Sequence, residues 1–420
     1  MRVLWIVNIP LPAFAKYLGT PIAASGTWMI DLLDQLALEE GVNLGVACVY
    51  GSKFVSAEIE GVHYYALPGD GKSMMFYKPQ LEKYWDMVES DFSPDIVHIH
   101  GTEYTHSISY IRKYPEKKYL LTIQGIISKV CKYRNDGLSI VDLLVNRTAK
   151  ENLRLSGMIE KTIVSRKNAN YEKEIIRSVG YVTGRTDWDR FIIESINPSA
   201  QYYRCYYNLR SAFYSAQKWS IESSDRAMVF VSTAAQLPLK GGHIVLEAIK
   251  LVCQKHPEVR FVFLAQKQVN GRLVTTNGYT KLINKRIAQL GIENNVLFVG
   301  QQDTDGVIGL MQKSRICVIP SAVENASATM REAMHIGTPV IASYRGGMVN
   351  LIKDGDSGFY YDYGEHEFLA GRIVQLLEDD ELALRFSQNE IAIAEEMHQR
   401  DRNKRAFVDI YSLIMDDEAR

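Results

Sequence analysis

Residues 319–343, IPSAVENASATMREAMHIGTPVIAS, decide the fold class of this chain. An apolar run over residues 316–319 enters the stretch, a loop of small and polar residues follows, and residues 328–335 then show the periodicity of an amphipathic helix. A second apolar run, at residues 339–342, comes after the helix. A strand, a loop, a helix and another strand in this order form the repeating unit of a parallel sheet covered by helices. The stretch therefore predicts an α/β fold.

Short apolar runs alternate with longer amphipathic stretches along both halves of the chain. Runs without polar alternation are typical of strands buried on both faces of a parallel sheet. The predicted strands lie at residues 3–7, 44–50, 96–99, 120–123, 227–232, 260–264, 296–299, 316–319 and 339–342. We therefore predict two Rossmann-like, doubly wound domains.

A polar stretch at residues 216–225 separates the two halves of the pattern. We expect residues 1–215 to form the N-terminal domain and residues 216–395 the C-terminal domain. The last segment, about residues 396–420, is rich in helix-forming residues. Its predicted helix has an apolar face formed by Phe407, Ile410, Tyr411 and Leu413.

The composition excludes several classes of protein. The 420 residues include 48 Lys and Arg against 49 Asp and Glu, so the net charge of -1 argues against nucleic acid as a main partner. The 5 cysteines form no C-x-x-C pair, which argues against a zinc site or a disulfide framework and favours the reducing cytoplasm. The first apolar run is interrupted after Val7 by Asn8 and Pro10, so we expect a buried strand there rather than a signal peptide.

The loop and helix of the opening stretch carry chemistry as well as fold information. A loop that enters a helix N-terminus is a common anion site, because free N–H groups and the helix dipole face the ligand. The small residues Ala326, Ser327 and Ala328 let a diphosphate approach the backbone. Glu324 and Glu332, eight positions apart, can each accept two hydrogen bonds from a sugar diol. Each glutamate taken alone is equally compatible with a solvated position.

The same stretch resembles the E-x7-E signature of glycosyltransferase family 4, whose members are retaining enzymes with the GT-B fold, and the resemblance extends over most of the chain. It implies that Glu332 holds the nucleotide ribose and that Glu324 lies at the donor sugar. It further implies that the backbone of Asn325, Ala326, Ser327 and Ala328 binds donor sugar and phosphate. By the same analogy, the C-terminal helix packs back on the N-terminal domain, and the two domains face each other across a cleft.

A second match is Leu239-Lys240-Gly241-Gly242, where the family places a lysine on the donor diphosphate. We expect Lys240 to stabilise the leaving group, whereas taken alone it is compatible with a solvated turn. Many family members carry an arginine five residues earlier, and this chain has Ala235 there. Arg345 is the basic residue that we expect to compensate. Asn350 stands where the family commonly has glutamate.

The first half contains further matches to the family. Gly26 lies in a turn that resembles the glycine-containing loop near the donor phosphates. The segment DIVHIHGTE resembles the family's D-V-V-H-x-H strand and turn, and it places His100 and Glu103 at the end of a strand. Gln124 replaces a common histidine, so we expect it to bind rather than to act as a base. Arg185 follows the last strand of this domain and is expected at the same edge.

These matches predict a retaining glycosyltransferase that moves a sugar from a UDP- or GDP-sugar to a glycan or lipid-linked acceptor, in capsule, O-antigen or exopolysaccharide synthesis. We expect no cofactor and no metal, because Lys240 and a helix N-terminus can neutralise the diphosphate. Three D-x-D pairs, which begin at Asp187, Asp303 and Asp354, are compatible with a metal site instead. Three further functions fit the same motifs: a GT-B epimerase, a phosphorylase and a catalytically silent sugar-nucleotide binder.

Residues 111–185 form a basic region, with 16 Lys and Arg against 7 Asp and Glu. One interpretation is a pair of solvated surface helices. The other is a surface of the first domain that contacts an anionic membrane and involves Lys117, Lys118, Lys129 and Lys132. Under the second interpretation we expect a cytoplasmic protein at the inner face of the membrane.

Overall fold

The computed structural model describes residues 1–22, 26–70 and 75–417. The chain divides into two compact units. Unit 1 contains Met1–Lys129, Val164–Arg210 and His398–Arg420, and unit 2 contains Val130–Ile163 and Ser211–Met397. Residues 130–163 therefore belong to unit 2, whereas we expected them in the N-terminal domain. This segment makes its tertiary contacts with residues more than a hundred positions away, which a local pattern does not reveal.

The described residues contain three sheets. The strands in chain order are β1 (Arg2–Val7), β2 (Asn43–Val49), β3 (Val55–Ile59), β4 (Val62–Leu67), β5 (Ile96–His100), β6 (Lys118–Thr122), β7 (Tyr181–Gly184), β8 (Gln201–Arg204), β9 (Asp225–Ala234), β10 (Arg260–Leu264), β11 (Gln268–Val269), β12 (Arg272–Leu273), β13 (Val296–Val299), β14 (Ser314–Ile319), β15 (Val340–Ser343) and β16 (Phe359–Tyr361). Each strand predicted from the sequence overlaps one of them.

Helices connect the strands in both units. The described helices in chain order are α1 (Pro12–Tyr17), α2 (Thr27–Ala37), α3 (Glu82–Phe92), α4 (Ile108–Lys113), α5 (Ile127–Tyr133), α6 (Ile140–Val145), α7 (Ala149–Arg154), α8 (Met158–Arg177), α9 (Asp187–Ile196), α10 (Ser211–Ser215), α11 (Gly242–Lys255), α12 (Gly278–Leu290), α13 (Thr304–Lys313), α14 (Ala328–Ile336), α15 (His366–Glu378), α16 (Asp380–Met397) and α17 (Arg400–Asp416). No helix among these residues is both long enough and apolar enough to cross a bilayer.

Unit 1 is built on an eight-stranded sheet in the order β3-β4-β2-β1-β5-β6-β7-β8. Every neighbouring pair is parallel except β3 and β4. β1 is buried on both faces, as expected for an uninterrupted apolar run with helices above and below it. The doubly wound prediction is therefore confirmed for this unit.

The C-terminal helix α17 completes the core of unit 1. Phe407, Ile410, Tyr411 and Ile414 are buried in the same apolar cluster as Trp5. The indole Nε1 of Trp5 donates a hydrogen bond to the Tyr411 hydroxyl at 3.0 Å. Leu413 is 41% exposed, so the expected apolar face was wrong at that position, and Ile414 takes its place.

Unit 2 contains a six-stranded parallel sheet in the order β13-β10-β9-β14-β15-β16, and β11 and β12 form a separate antiparallel pair. Counted along the unit, the strands of the large sheet lie in the order 3-2-1-4-5-6, which is that of a Rossmann fold. From β9 the chain continues to β10 and β13 on one side of β9, and it then returns to β14, which lies on the opposite side of β9. A crevice is expected where this reversal occurs, at the carboxyl ends of β9 and β14.

The basic region is divided between the units, and part of its charge is already paired. The Nζ of Lys117 forms an ion pair with Glu89 at 3.0 Å. The Nζ of Lys118 donates to the carbonyl oxygens of Ile414 and Met415 at the end of α17. These two lysines therefore contribute to the packing of unit 1.

Glu390 is a fully buried carboxyl group in unit 2, on α16. Its Oε1 accepts a hydrogen bond from the backbone N–H of Val340 at 2.9 Å, which ties α16 to the start of β15. Burial raises the pKa of this carboxyl well above its ordinary value, and the Val340 N–H opposes that shift. The folded state therefore holds a proton on Glu390 at a pH where the unfolded chain has released it.

We expect Glu390→Gln to stabilise the protein at about pH 8 and to have little effect near pH 4. Because the folded state binds the extra proton, the free energy of unfolding of the wild type falls as pH rises above about 4.3, the pKa of a glutamate in the unfolded chain. The fall is up to about 1.4 kcal/mol per pH unit and ends where the pH reaches the raised pKa of the folded state. Urea unfolding across this range measures the difference. Glu381→Gln, at an exposed position of the same helix, is the control. A glutamine variant that is less stable at every pH would contradict the assignment.

Candidate functional site

The candidate site of unit 2 lies at the carboxyl ends of β9 and β14. After β9 the chain makes a tight turn, Pro238–Lys240, and enters α11 through Gly241. After β14 a loop over residues 320–327 leads into α14. Since β9 and β14 are neighbours in the sheet, both loops and both helix N-termini meet at one edge.

Gly241 brings the two loops into contact. Its φ of 70° lies in the left-handed region, and a Cβ added here would collide with the carbonyl oxygen of Pro320. The backbone N–H of Ala322 donates to the carbonyl of Leu239 at 2.8 Å. Only glycine combines this backbone conformation with so close an approach. Main-chain contacts therefore hold the turn after β9, which carries Lys240, against the loop after β14, which carries Glu324.

Lys240 and Glu324 are joined across the two loops. The Nζ of Lys240 forms an ion pair with Oε1 of Glu324, and the Ser321 hydroxyl donates to the same oxygen at 2.9 Å. The lysine side chain is 33% exposed and that of the glutamate 18%. An ammonium group has three donors, so two of them remain for a ligand. The structure thus brings the two predicted catalytic residues together and adds Ser321, which we did not predict as a site residue.

The loop after β15 supports Glu324 from a third side. The backbone N–H of Gly347 donates to the Glu324 carbonyl at 2.9 Å. Gly346 has a φ of 64°, and a Cβ there would collide with that same carbonyl oxygen. Loops that follow three neighbouring strands therefore meet at Glu324.

The N-terminus of α14 lies directly after these contacts. Ser327 is its N-cap, and the serine hydroxyl accepts a hydrogen bond from the Met330 N–H at 3.4 Å. Asn325 and Ser327 are buried, whereas Ala326 is half-buried and Ala328 is exposed. Glu332 lies inside the helix and is 8% exposed, so it is not a solvated helix residue.

Arg345 has a different environment from the one we expected. Its Nη1 donates to Oδ2 of Asp136 at 3.0 Å, and its guanidinium lies 5.3 Å from the ring centroid of Tyr133 and 5.1 Å from that of Tyr363. Asp136 therefore balances the charge of Arg345. We expected this charge to replace that of the arginine that many family members carry at the position of Ala235. Asp136 was missed because it lies 209 positions from its partner in the sequence.

The candidate site of unit 2 lies at the carboxyl ends of its strands, and the corresponding edge of the unit 1 sheet lies at the carboxyl ends of β1 and β5. Gly26 has a φ of 79° at the N-cap of α2, and a Cβ there would collide with the side chain of Ile9. The residues just before it, 23–25, lie outside the described part of the chain. Gly26 thus meets the conformational requirement of a close-approach turn.

His98 and His100 lie on one face of β5, as the alternation of side chains along a strand predicts. His98 is fully buried between the Tyr411 hydroxyl and Oγ1 of Thr122, each at 2.6 Å, and burial lowers its pKa to about 3. The ring of His100 lies 4.2 Å from that of Trp5, and burial together with His98 lowers its pKa as well. Both imidazoles are therefore neutral at pH 7.

Glu103, Gln124 and Arg185 follow the ends of the neighbouring strands β5, β6 and β7. Oε1 of Glu103 accepts a hydrogen bond from the Gly125 N–H at 2.8 Å, and burial raises the pKa of this carboxyl. Gln124 donates to the Tyr207 hydroxyl at 2.6 Å. The buried guanidinium of Arg185 donates to the carbonyl oxygens of residues 123 and 124. Arg185 therefore holds the backbone at the end of β6 in place.

Glu172 is a buried acid of unit 1 that has no local signal in the sequence. Its carboxylate accepts hydrogen bonds from the backbone N–H groups of Ile127 and Ser128 and from the Thr102 hydroxyl. It therefore occupies the N-terminus of α5, where a ligand anion would otherwise be favoured. Desolvation raises its pKa, and these hydrogen bonds oppose the shift.

The D-x-D pairs have structural partners. Asp187 forms an ion pair with Arg204, Asp303 caps α13 by accepting from the Gly306 N–H, and Asp354 accepts from the Tyr360 N–H. Within residues 1–22, 26–70 and 75–417, no three His, Cys, Asp or Glu side chains are grouped so that they could hold a metal ion.

Comparison with known proteins relates the site to a family. Residues 214–392 match the family model of glycosyl transferases group 1. A D-inositol 3-phosphate glycosyltransferase of Corynebacterium efficiens is 24% identical over 154 residues, which cover 37% of this chain and 35% of the relative. An N-acetyl-alpha-D-glucosaminyl L-malate synthase of Bacillus anthracis is 35% identical over 96 residues, 23% of this chain and 25% of that protein. The matched region thus spans about a third or less of these relatives.

Solved structures are similar over nearly the whole chain. A sucrose-phosphate synthase from Thermosynechococcus elongatus has a TM-score of 0.73 at 14% identity and covers 98% of both chains. The Anabaena protein HepE in complex with UDP-glucose has a TM-score of 0.68 at 17% identity, covering 98% of this chain and 100% of HepE. The chain therefore has the GT-B fold, and its residues 214–392 match the group 1 glycosyl transferases.

Proposed function

We propose that this protein is a retaining glycosyltransferase that moves a sugar from a nucleoside diphosphate sugar to an acceptor hydroxyl. The observation that supports this proposal best is the junction of three loops around Glu324. It combines an ammonium group, a carboxylate and a helix N-terminus at the switch point of a Rossmann sheet, where nucleotides commonly bind. The family match covers these residues, and one structural neighbour holds UDP-glucose.

The proposed roles follow from the chemistry of each group. The two remaining donors of Lys240 bind the diphosphate, together with backbone N–H groups of residues 325–328. Glu332 accepts hydrogen bonds from the ribose diol. Both hydrogen bonds to Glu324 fall on Oε1, which leaves Oε2 for a hydroxyl of the donor sugar. We favour UDP as the nucleotide over GDP.

We propose a front-face substitution for the transfer step. The bond between the anomeric carbon and the phosphate oxygen breaks, and the acceptor oxygen forms its bond on the same face. The acceptor proton passes to the departing phosphate oxygen. Lys240 and the N-terminus of α14 stabilise the negative charge that develops there, so no metal is required. Glu324 is held by a cation and a hydroxyl, which makes it a poor nucleophile for double displacement.

For the acceptor we propose the edge of unit 1 formed by His100, Glu103, Gln124 and Arg185. Neutral His100 and the Gln124 amide suit hydroxyl recognition rather than base catalysis. A glycan or lipid-linked glycan is the proposed acceptor, in the assembly of a bacterial cell-surface polysaccharide on the cytoplasmic side of the membrane. The relatives are named for compounds as different as inositol phosphate and malate, which supports a varied use of hydroxyl acceptors by related domains.

We expect UDP to raise the thermal unfolding temperature of the wild type with or without EDTA, and GDP, ADP and CMP to have smaller effects. At about 100 times the Kd, a ligand stabilises by about 2.7 kcal/mol. Glu332→Gln should abolish most of this shift, because a glutamine amide oxygen is a weaker acceptor for the ribose diol. Glu367→Gln, at an exposed position of unit 2, is the control.

Together with an assay of nucleotide-sugar turnover on a panel of acceptors, the outcomes of this experiment separate the candidate functions. A shift that requires a divalent metal would contradict the metal-free site. Binding without turnover on any acceptor would favour a silent binder, and release of an altered nucleotide sugar would favour an epimerase. No shift with any nucleotide would contradict the proposed site itself.

We expect Gly241→Ala to destabilise the protein and to weaken UDP binding. The left-handed conformation alone costs about 1–2 kcal/mol for alanine, and the collision with Pro320 adds about 1–3 kcal/mol. Gly355→Ala is a matched control, because Gly355 has a φ of 74° with nothing within 4 Å of its added Cβ. Urea unfolding and UDP titration measure both variants. Equal losses at the two positions would show that the contact between the loops is unimportant.

A further inference from the structure

Seven aliphatic side chains in residues 139–163 are exposed to solvent. Within the described residues, no other stretch of this length exposes as many large apolar side chains. The exposed fractions run from 50% to 87%, and we name this set the aliphatic surface: Ile140, Val141, Leu144, Val145, Leu153, Leu155 and Ile163. Where exposed apolar side chains form a patch on a folded protein, the patch commonly marks an interaction site.

Four members of the aliphatic surface lie on one face of α6. Ile140 and Leu144 are four positions apart, as are Val141 and Val145, so the two pairs form adjacent rows on the helix. Leu143 lies on another face and is buried. The helix therefore has an inner apolar side that packs and an outer apolar side that does not.

The segment is held firmly in unit 2. α6 and α7 each begin with a capping box, formed by Ser139 with Asp142 and by Thr148 with Glu151. Oε2 of Glu151 also accepts a hydrogen bond from the N–H of Gly278 at 2.9 Å. Asp142 forms an ion pair with Arg286 at 3.1 Å. Both acids thus attach the segment to α12, and the exposure of the aliphatic face is a property of the folded unit.

The charges of this segment are asymmetric. Its three acids, Asp142, Glu151 and Glu160, all have partners, since Glu160 forms an ion pair with Arg147 at 2.7 Å. The exposed basic residues Lys150, Arg154 and Lys161 have no ion pair or side-chain hydrogen bond among the described residues. The residues that this segment exposes to solvent are therefore largely aliphatic or positively charged.

We propose that the aliphatic surface and its three free basic residues form a docking site for an anionic lipid bilayer. Aliphatic side chains enter the boundary between head groups and acyl chains, while the basic residues meet the lipid phosphates. A second copy of the chain suits this surface less well, because symmetric pairing would bring like charges together. The site lies in residues 130–163, the part of the basic region that belongs to unit 2, and it does not depend on the proposed transferase activity.

Flotation with phospholipid vesicles tests the proposal without turnover. We expect the full chain to bind vesicles of equimolar phosphatidylcholine and phosphatidylglycerol, and to bind phosphatidylcholine alone far more weakly. The double variant Val141→Gln and Leu144→Gln should lose most binding, and glutamine retains helix propensity. Leu384→Gln with Phe368→Gln, at exposed positions of α16 and α15, is the matched control.

The charges are tested separately. Replacing Lys150, Arg154 and Lys161 by glutamine should weaken binding by about fivefold for each residue near an acidic surface. Replacing Lys250, Lys267 and Lys313, exposed elsewhere on unit 2, removes the same charge and should have little effect. Circular dichroism verifies the fold of every variant.

Three results would overturn the proposal. The first is no binding of the wild type to either kind of vesicle. The second is equal loss of binding in the site variants and their controls. The third is a wild-type dimer that the aliphatic variant converts to monomer without vesicle binding, which would identify the surface as an interface between copies. UDP-dependent stabilisation, measured in parallel, reports on the proposed function and is expected to be unchanged in all variants.

Discussion

The close approach of Gly241 to the carbonyl of Pro320 is the constraint on which the candidate site depends. It holds the turn after β9 against the loop after β14, and it places Lys240 next to Glu324. Gly346, in the loop after β15, approaches the carbonyl oxygen of Glu324 in the same way. Each position combines a left-handed backbone with contact to another main chain, which only glycine tolerates. The charged groups are thereby positioned by the backbone before any ligand binds.

The segment of residues 130–163 gives unit 2 two properties that its sheet alone does not have. At one end, Asp136 and Tyr133 surround the guanidinium of Arg345, beside the loop that supports Glu324. At the other end, α6 and α7 are attached to α12 and present aliphatic side chains to solvent. This segment therefore contributes both to the surroundings of the candidate site and to the proposed lipid surface.

The sequence was sufficient for features that depend on local pattern. The apolar runs predicted nine of the sixteen described strands, and the small residues before Ala328 predicted the helix N-terminus, because both follow from neighbouring positions. It was insufficient where partners are distant. Neither the pairing of Arg345 with Asp136 nor the burial of Glu172 against α5 has a local signal. Leu413 was misassigned for a related reason, since helical spacing alone does not determine which of two adjacent residues faces the core.

Hydrogen exchange of the full chain, with and without saturating UDP, tests most directly whether the three joined loops form the nucleotide site. We predict slower exchange in peptides covering residues 236–243, 320–328 and 346–350, which contain these loops. Residues 354–358, a turn of the same unit outside the proposed site, should be unchanged. Saturated UDP binding that leaves the three loops unprotected, or that protects another part of the chain instead, would contradict the proposed site.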